Sequence, residues 1–236
     1  MSPEFSDLLS RHVATAFAKQ IAFADVIEER NWGVSISDGH ATFGDDLSFT
    51  IQLLGTEAEG DSSWLWAWAN EQSTLPPSLL RVCTELKEFG EQTGVPELTD
   101  RSYSIETANG HMIALVASGL YPGCCYYRGP YEGGALFFLV SEAPDVVTQQ
   151  VAPERAITVL TEVISQFEID HRVMTESFLR TQGFDLADND RTIVAKHGGG
   201  TIEITFDSHD RITKILGTVT PSKRRSKSGW QFWKKA

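Results

Sequence analysis

The residues whose types and spacing could do chemistry fall into four small groups. His171 stands at 167, 171, 174, 178 spacing with Phe167, Met174 and Phe178, and has Glu168 and Asp170 beside it. An imidazole there is either a pocket base or metal ligand, or a core-edge histidine whose nitrogens are satisfied. Cys124-Cys125 offers a thiol, but it lies among Leu120, Tyr126 and Tyr127, where cysteines behave as small buried hydrophobes. His197-Gly-Gly-Gly is not accompanied by a G-x-S-x-G elbow, so it reads as a turn between strands rather than an oxyanion loop. The fourth group is Trp64-Leu-Trp-Ala-Trp-Ala-Asn70, followed by Glu71.

A fully extended segment sends successive side chains to opposite faces. Trp64, Trp66 and Trp68 then share one face with Asn70, and Leu65, Ala67 and Ala69 share the other. With both faces apolar, the strand is expected at the centre of a sheet. Two readings of the indole face stand side by side. It is a core wall, since large aromatics dominate cores. Alternatively it floors a cleft for a flat or apolar ligand, with Trp66 and Trp68 below, Asn70 and Glu71 at the rim, and Tyr103 and His171 nearby.

Other signals are weaker. His12 lies on or beside the apolar stripe of the first helix and carries the same two readings as His171. His40 and His111 begin short elements and are expected to be exposed. His209, between Asp207 and Asp210, reads as a solvated turn rather than a weak cation site. The chain has no P-loop, no dinucleotide fingerprint after a strand, no H-E-x-x-H, no EF-hand loop and no C-x-x-C, so no cofactor or metal is implied.

The elements that must position these residues follow from periodicity. Residues 3 to about 29 carry Phe5, Leu8, Leu9, Val13, Phe17, Ile21 and Ile27 at helical spacing, with Ser2 as cap and Pro3 in the first turn. Trp32–Ser37 and His40–Phe43 flank Asp38-Gly39, a two-residue hairpin signal. A third strand spans Leu47–Gly55, residues 56–63 form a polar loop, and the tryptophan strand completes a four-stranded antiparallel meander. Pro76-Pro77 opens a helix to about Gly94, ended by Gly94 and Pro96. Tyr103–Thr107 is a short strand, and Asn109 caps a helix through Leu120.

Cys124–Arg128 and Ala135–Ser141 form a second hairpin around residues 129–134. A long helix then spans about Pro153 to Gln182, stopped by Gly183. Three short strands follow, at about 191–197, 201–207 and 211–219. The expected class is α+β: antiparallel hairpins packed against long N-terminal and C-terminal amphipathic helices, plus a small appended β-meander. The expected division is a main unit 1–183, the β unit 184–220 and a basic tail 221–236.

Charge is the most uneven property. The 236 residues carry a formal −12, yet Lys223, Arg224, Arg225, Lys227, Lys234 and Lys235 crowd the last fifteen positions, where no acid occurs. The other 221 residues carry 14 basic against 32 acidic side chains, or −18. Such a body repels phosphate backbones, which argues against nucleic-acid binding by it. The tail Lys223–Lys235 interleaves its cations with Trp230, Phe232 and Trp233. It touches an anionic membrane or RNA, folds onto the chain's own acidic face, or solubilises. The sequence has no transmembrane segment and no signal-peptide pattern at Met1-Ser-Pro-Glu, and its three cysteines are no disulfide framework. A cytoplasmic setting is the expectation.

Phe49-Thr-Ile-Gln-Leu-Leu-Gly-Thr, a short polar loop and Trp64-Leu-Trp-Ala-Trp-Ala-Asn, together with the long first helix, the Trp32 strand and the Asp38-Gly39 turn, resemble the DUF6882 family of bacterial domains of unknown function. The resemblance covers roughly residues 1–180. It implies a bacterial, cytoplasmic α+β protein and supplies no activity or catalytic residue.

With no nucleophile–base constellation and no metal spacing, the leading reading is a non-enzymatic interaction protein. Its acidic surface would meet a basic protein partner, as an immunity protein does. The other reading is a small-molecule-binding domain or enzyme with the tryptophan-floored pocket.

Overall fold

The computed structural model describes residues 1–218, so the basic tail lies outside the described residues. The class is α+β, with antiparallel pairing throughout both of its sheets.

Helix α1 (Pro3–Ile27) begins as expected: Ser2 Oγ accepts the Phe5 N–H at 3.1 Å, and Pro3 fills the first turn. Its middle is not amphipathic. Eight consecutive residues, 13–20, are buried, which a helix achieves only when it is surrounded. It packs against α4 (Gly110–Leu120), α6 (Pro153–Gln166) and α7 (His171–Thr181).

The meander is present as β1 (Trp32–Ser35), β2 (His40–Phe43), β3 (Leu47–Ala58) and β4 (Ser63–Trp66). β3 runs three residues further than expected, into the polar loop. Its first part pairs with β2 and its last part lies between β4 and β7 (Gly134–Val140). A register shift between Leu53 and Gly55 separates the two parts. β5 (Ser102–Ser104) extends the sheet beyond β4, and β6 (Cys125–Tyr131) extends it beyond β7.

The tryptophan segment is central but not one strand. β4 stops at Trp66, and Ala67–Ala69 turn into a 3-10 segment in which Asn70 N–H donates to Ala67 O at 3.2 Å. The cause lies in its partner. Pairing with β3 reaches Gly55↔Trp66, and the next residue, Leu54, is the irregularity in β3. There the pairing of β4 with β3 ends, and the following residues close on themselves through the Asn70–Ala67 bond. Trp68 therefore leaves the face shared by Trp64 and Trp66.

Other boundaries also moved. The helix after Pro77 is a 3-10 turn and then α2 (Arg81–Thr93), closed by left-handed Gly94. Pro96 opens the short α3 (Pro96–Thr99) instead of only ending α2. Residues Gly129–Tyr131 belong to β6, leaving Glu132-Gly133 as the hairpin turn. A short α5 (Asp145–Thr148) precedes α6.

The long C-terminal helix is two helices, α6 and α7. Phe167 is extended, and Asp170 caps α7 by accepting the Val173 N–H at 2.8 Å. Ser10 Oγ of α1 accepts the Asp170 N–H at 3.0 Å, and Phe167 meets Phe17 edge-on at 6.5 Å. Tertiary contacts with α1 thus hold the break.

The final meander has four strands rather than three: β8 (Asp185–Asn189), β9 (Thr192–His197), β10 (Gly200–Phe206) and β11 (Ile212–Thr218). Gly198 and Gly199, with φ of +55° and +84°, make the His197 turn. α6 and α7 cover one face of this sheet. The apolar cluster is continuous from Phe5 to Phe206. Among the described residues, no helix is long and apolar enough to cross a membrane.

Candidate functional site

Five of the six residues singled out by sequence meet at the β4–β5 end of the first sheet. Trp64 and Tyr103 are direct cross-strand partners. Trp64 stands edge-on to Trp66 at 5.5 Å and to Phe137 at 5.6 Å, and both indoles are fully buried. Trp66 Nε1–H donates to Glu97 O at 3.0 Å. The close approach requires Gly55: a Cβ there would lie 2.4 Å from Leu65 O and 2.6 Å from the Trp64 ring.

Trp68 is half-buried, with Lys87 Nζ 4.6 Å above its ring. Asn70 Oδ1 accepts the N–H groups of Gln72 and Ser73 at 3.1 and 3.0 Å, and so builds the turn. Glu71 is exposed and bonds Arg101 at 2.5 Å. These are the contacts of a packed wall with a tied rim. Three polar atoms of this wall nevertheless have no protein partner: Trp64 Nε1, Trp68 Nε1 and the Tyr103 hydroxyl. Burial raises the Tyr103 pKa far above its usual value, with Glu97 and Asp100 adding to the rise.

His171 is elsewhere. It is the first residue of α7, and its Nδ1 accepts the Ile212 N–H of β11 at 3.1 Å. Burial lowers its pKa. Beside it, Arg172 donates to Asp210 at 2.7 Å, to Asp188 at 3.1 Å and to Asp190 O at 2.7 Å, and stacks 4.5 Å over Phe206. This pair of residues fastens the second sheet to α7.

His111 corrects another expectation. Instead of being exposed, its ring lies 5.4 Å from Phe137, and Nδ1 is 3.1 Å from the Tyr126 hydroxyl. Burial brings its pKa down to about 4, with Arg128 adding to the fall. Cys125 is buried and Cys124 half-buried, and burial raises both thiol pKa values, away from reactivity.

Sequence reasoning missed Lys19. Its buried ammonium donates to Ser118 O at 2.6 Å, Cys124 O at 3.0 Å and Tyr121 O at 3.1 Å. The carbonyls of Ser118 and Tyr121 belong to the C-terminal end of α4, where a cation complements the helix dipole. Burial brings the Lys19 pKa down to about 8. The only hint is a single cation inside Ala14-Thr-Ala-Phe-Ala-Lys-Gln-Ile-Ala.

It also missed a convergence of three loops. Glu59 N–H donates to Gly133 O at 3.0 Å, and Ile105 N–H donates to Ser62 O at 2.9 Å. These bonds draw the β3–β4, β6–β7 and β5–α4 connections to one end of the sheet. Glu59, Asp61, Glu106 and Glu132 are exposed there, around Tyr131 at 48% exposure. Glu57 at the same end is drawn inward, its carboxylate accepting the Gly110 N–H at 2.6 Å at the N-terminus of α4. Cations are scarce to offset this rim. Of the ten lysines and arginines in residues 1–183, eight are already ion-paired and Lys19 is enclosed by carbonyls. The same stretch holds 26 acidic residues.

A family model described as "Family of unknown function (DUF6882)" matches residues 6–143. That is α1 through the end of β7, shorter than the 1–180 expected, and it excludes α6, α7 and the second sheet. No curated protein and no solved structure matches the chain.

Proposed function

This chain belongs to the DUF6882 family, whose function is unknown, and from that premise we propose a non-enzymatic interaction module that takes a basic protein partner at the Glu59–Asp61–Glu106–Glu132 rim. The observation that carries this reading is the convergence of three acidic loops around an exposed tyrosine. Exposed carboxylates steer a cationic partner and set register, and a tyrosine supplies contact area at low entropy cost. An immunity-like role in a bacterial cytoplasm is the setting proposed with it; the three unpaired cysteines support a reducing compartment. In this reading residues 1–183 carry the interaction surface, 184–220 an appended sheet and 221–236 a basic tail.

The test is affinity capture on the full chain at low and high salt, with a charge-reversed rim (Glu59→Lys, Asp61→Lys, Glu132→Lys). Reversal of three exposed acids elsewhere (Glu88→Lys, Glu142→Lys, Glu168→Lys) is the control. The rim variant is expected to lose a basic, salt-sensitive partner that the control retains. Equal loss in both, or a partner indifferent to salt, overturns the reading.

One observation favours a second reading, a small polar ligand held at the tryptophan wall by Trp66, Trp68, Asn70, Glu71 and Tyr103. The orphaned donors of Trp64, Trp68 and Tyr103 need an acceptor. A metabolite that shifts tryptophan emission in the wild type but not in Tyr103→Phe would support it. Emission unmoved across a metabolite library would sink it.

A further inference from the structure

Among the described residues, Glu97 is the one acid that is buried, at 2% exposure. Both of its carboxylate oxygens face a single residue. Ser2 N–H donates to Oε1, and Ser2 Oγ–H donates to Oε2 at 2.6 Å. The same Ser2 Oγ accepts the Phe5 N–H at 3.1 Å, which turns its own proton toward Glu97. Two donors on two oxygens suit an ionised carboxylate.

Among the described residues, no lysine, arginine or histidine is ion-paired with Glu97. The surroundings add negative charge, since Glu97 and Asp100 both push up the Tyr103 hydroxyl. A buried carboxylate is ordinarily paired, because a neutral amide returns only part of the hydration that burial removes. Ser2 Oγ closes the Oε2 side, so the position for a cation is that of the Ser2 nitrogen. That nitrogen makes no helix bond: the first turn of α1 closes on Ser2 O, which accepts the Ser6 N–H at 3.0 Å. The helix dipole alone would oppose a cation there, but Glu97, with Glu4 in the first turn, offsets it. Met1 is 48% exposed and Ser2 is small, so the bond between them is open to a peptidase.

We propose that the Met1–Ser2 bond is a processing site, and that the α-ammonium freed on Ser2 by its hydrolysis is the counter-ion of Glu97. Water adds across the bond. Its hydroxyl goes to the Met1 carbonyl carbon, and the nitrogen keeps the bonding pair and takes up protons to become ammonium. An amide hydrogen bond thereby becomes a buried, charge-assisted ion pair. The effect reaches the core. Glu97 lies in α3, and its carbonyl accepts the Trp66 indole N–H at 3.0 Å, so the cut end of α1 is fastened to the tryptophan wall. The inference is independent of the acidic rim and uses none of its residues.

The test uses the full chain. The intact mass of the untagged chain purified from bacterial cells is expected to lack Met1. Two further preparations are released from a removable N-terminal fusion, one starting at Met1 and the other at Ser2, and compared by chemical denaturation. The Ser2 form should favour folding over the Met1 form by about tenfold or more. That advantage should be full below about pH 7.7, where the unfolded amine is charged, and should fade as pH rises through the raised pKa of the paired amine. It should vanish when both forms carry Glu97→Gln. Met1 retained on the bulk of the untagged chain overturns the proposal. So do equal midpoints for the two forms at neutral pH, and so does an advantage that persists in Glu97→Gln. Should the Glu97→Gln pair not fold, the pH series decides: an advantage constant from about pH 6 to about pH 10 overturns the proposal.

Discussion

The sheet around β3 is filled from both faces by aromatic rings, whereas the β8–β11 sheet is filled from one face by mainly aliphatic side chains and fastened at its rim by His171 and Arg172. Trp64, Trp66, Phe137 and Phe138 are fully buried in the first. In the second, Arg172 gathers Asp188, Asp190 and Asp210 from two turns and covers Phe206. Charge divides in the same way: residues 1–183 hold 26 acids against 10 bases, and 184–218 hold 6 against 4. A deep aromatic core tolerates a strongly charged exterior because the repulsion is spread over water while burial is not. A shallow sheet has less burial to set against repulsion and stays near neutrality.

That contrast can be broken first at Trp66. Trp66→Ala removes a buried indole and its bond to Glu97 O, and should cost about 3–5 kcal/mol. Chemical denaturation should show the loss for the whole molecule, both sheets included, because the apolar cluster is continuous. A loss confined to the first sheet would mean that the two sheets melt separately.

Acid should act on the first sheet through His111. Its folded pKa of about 4 lies below the unfolded 6.5, so the unfolded chain takes up the proton first. Stability is then full above about pH 6.5 and falls by about 3 kcal/mol as pH drops to 4. His111→Gln should flatten that limb in denaturation midpoints measured across this range. An unchanged acid limb would remove His111 from the account.

The smallest effect belongs to the second sheet. Arg172→Ala should lower stability by about 1–2 kcal/mol. Amide exchange should speed up at the β8–β9 and β10–β11 turns while α1 and α4 stay protected. If α4 amides lose protection too, the difference between the sheets is smaller than their construction suggests.

Local chemistry was legible wherever one residue does one backbone job. Ser2 caps α1, Asn109 accepts the Met112 N–H, and Gly183 closes α7 at φ +75°; Gly39 takes φ +71° in its hairpin, but that turn spans four residues, 36–39, and not the two expected. Features with a distant cause were not. The alternation of Trp64–Asn70 continues unbroken past Trp66, and the strand ends where its partner carries an irregularity, at Leu54, twelve residues earlier in sequence. Likewise the apolar period runs through residues 167–170 without Gly or Pro, and Ser10 and Phe17 of α1 decide the break. Of the candidate site, the tryptophan wall was visible as a pattern. The acidic rim was not, since Asp61, Glu106 and Glu132 lie 45 and 26 residues apart in sequence and their loops meet through two backbone hydrogen bonds. Lys19 was equally hidden, because its carbonyl partners lie about a hundred residues downstream.

The encirclement of α1 has a consequence for synthesis. This helix leaves the ribosome before α4 and α7, which enclose it and end only at Leu120 and Thr181. At translation rates of about 5–20 residues per second, its apolar circumference waits on the order of ten seconds for a partner. The nascent chain is therefore a natural client for a holding chaperone, and its yield should depend on elongation speed more than that of a protein whose first helix folds onto its immediate neighbours.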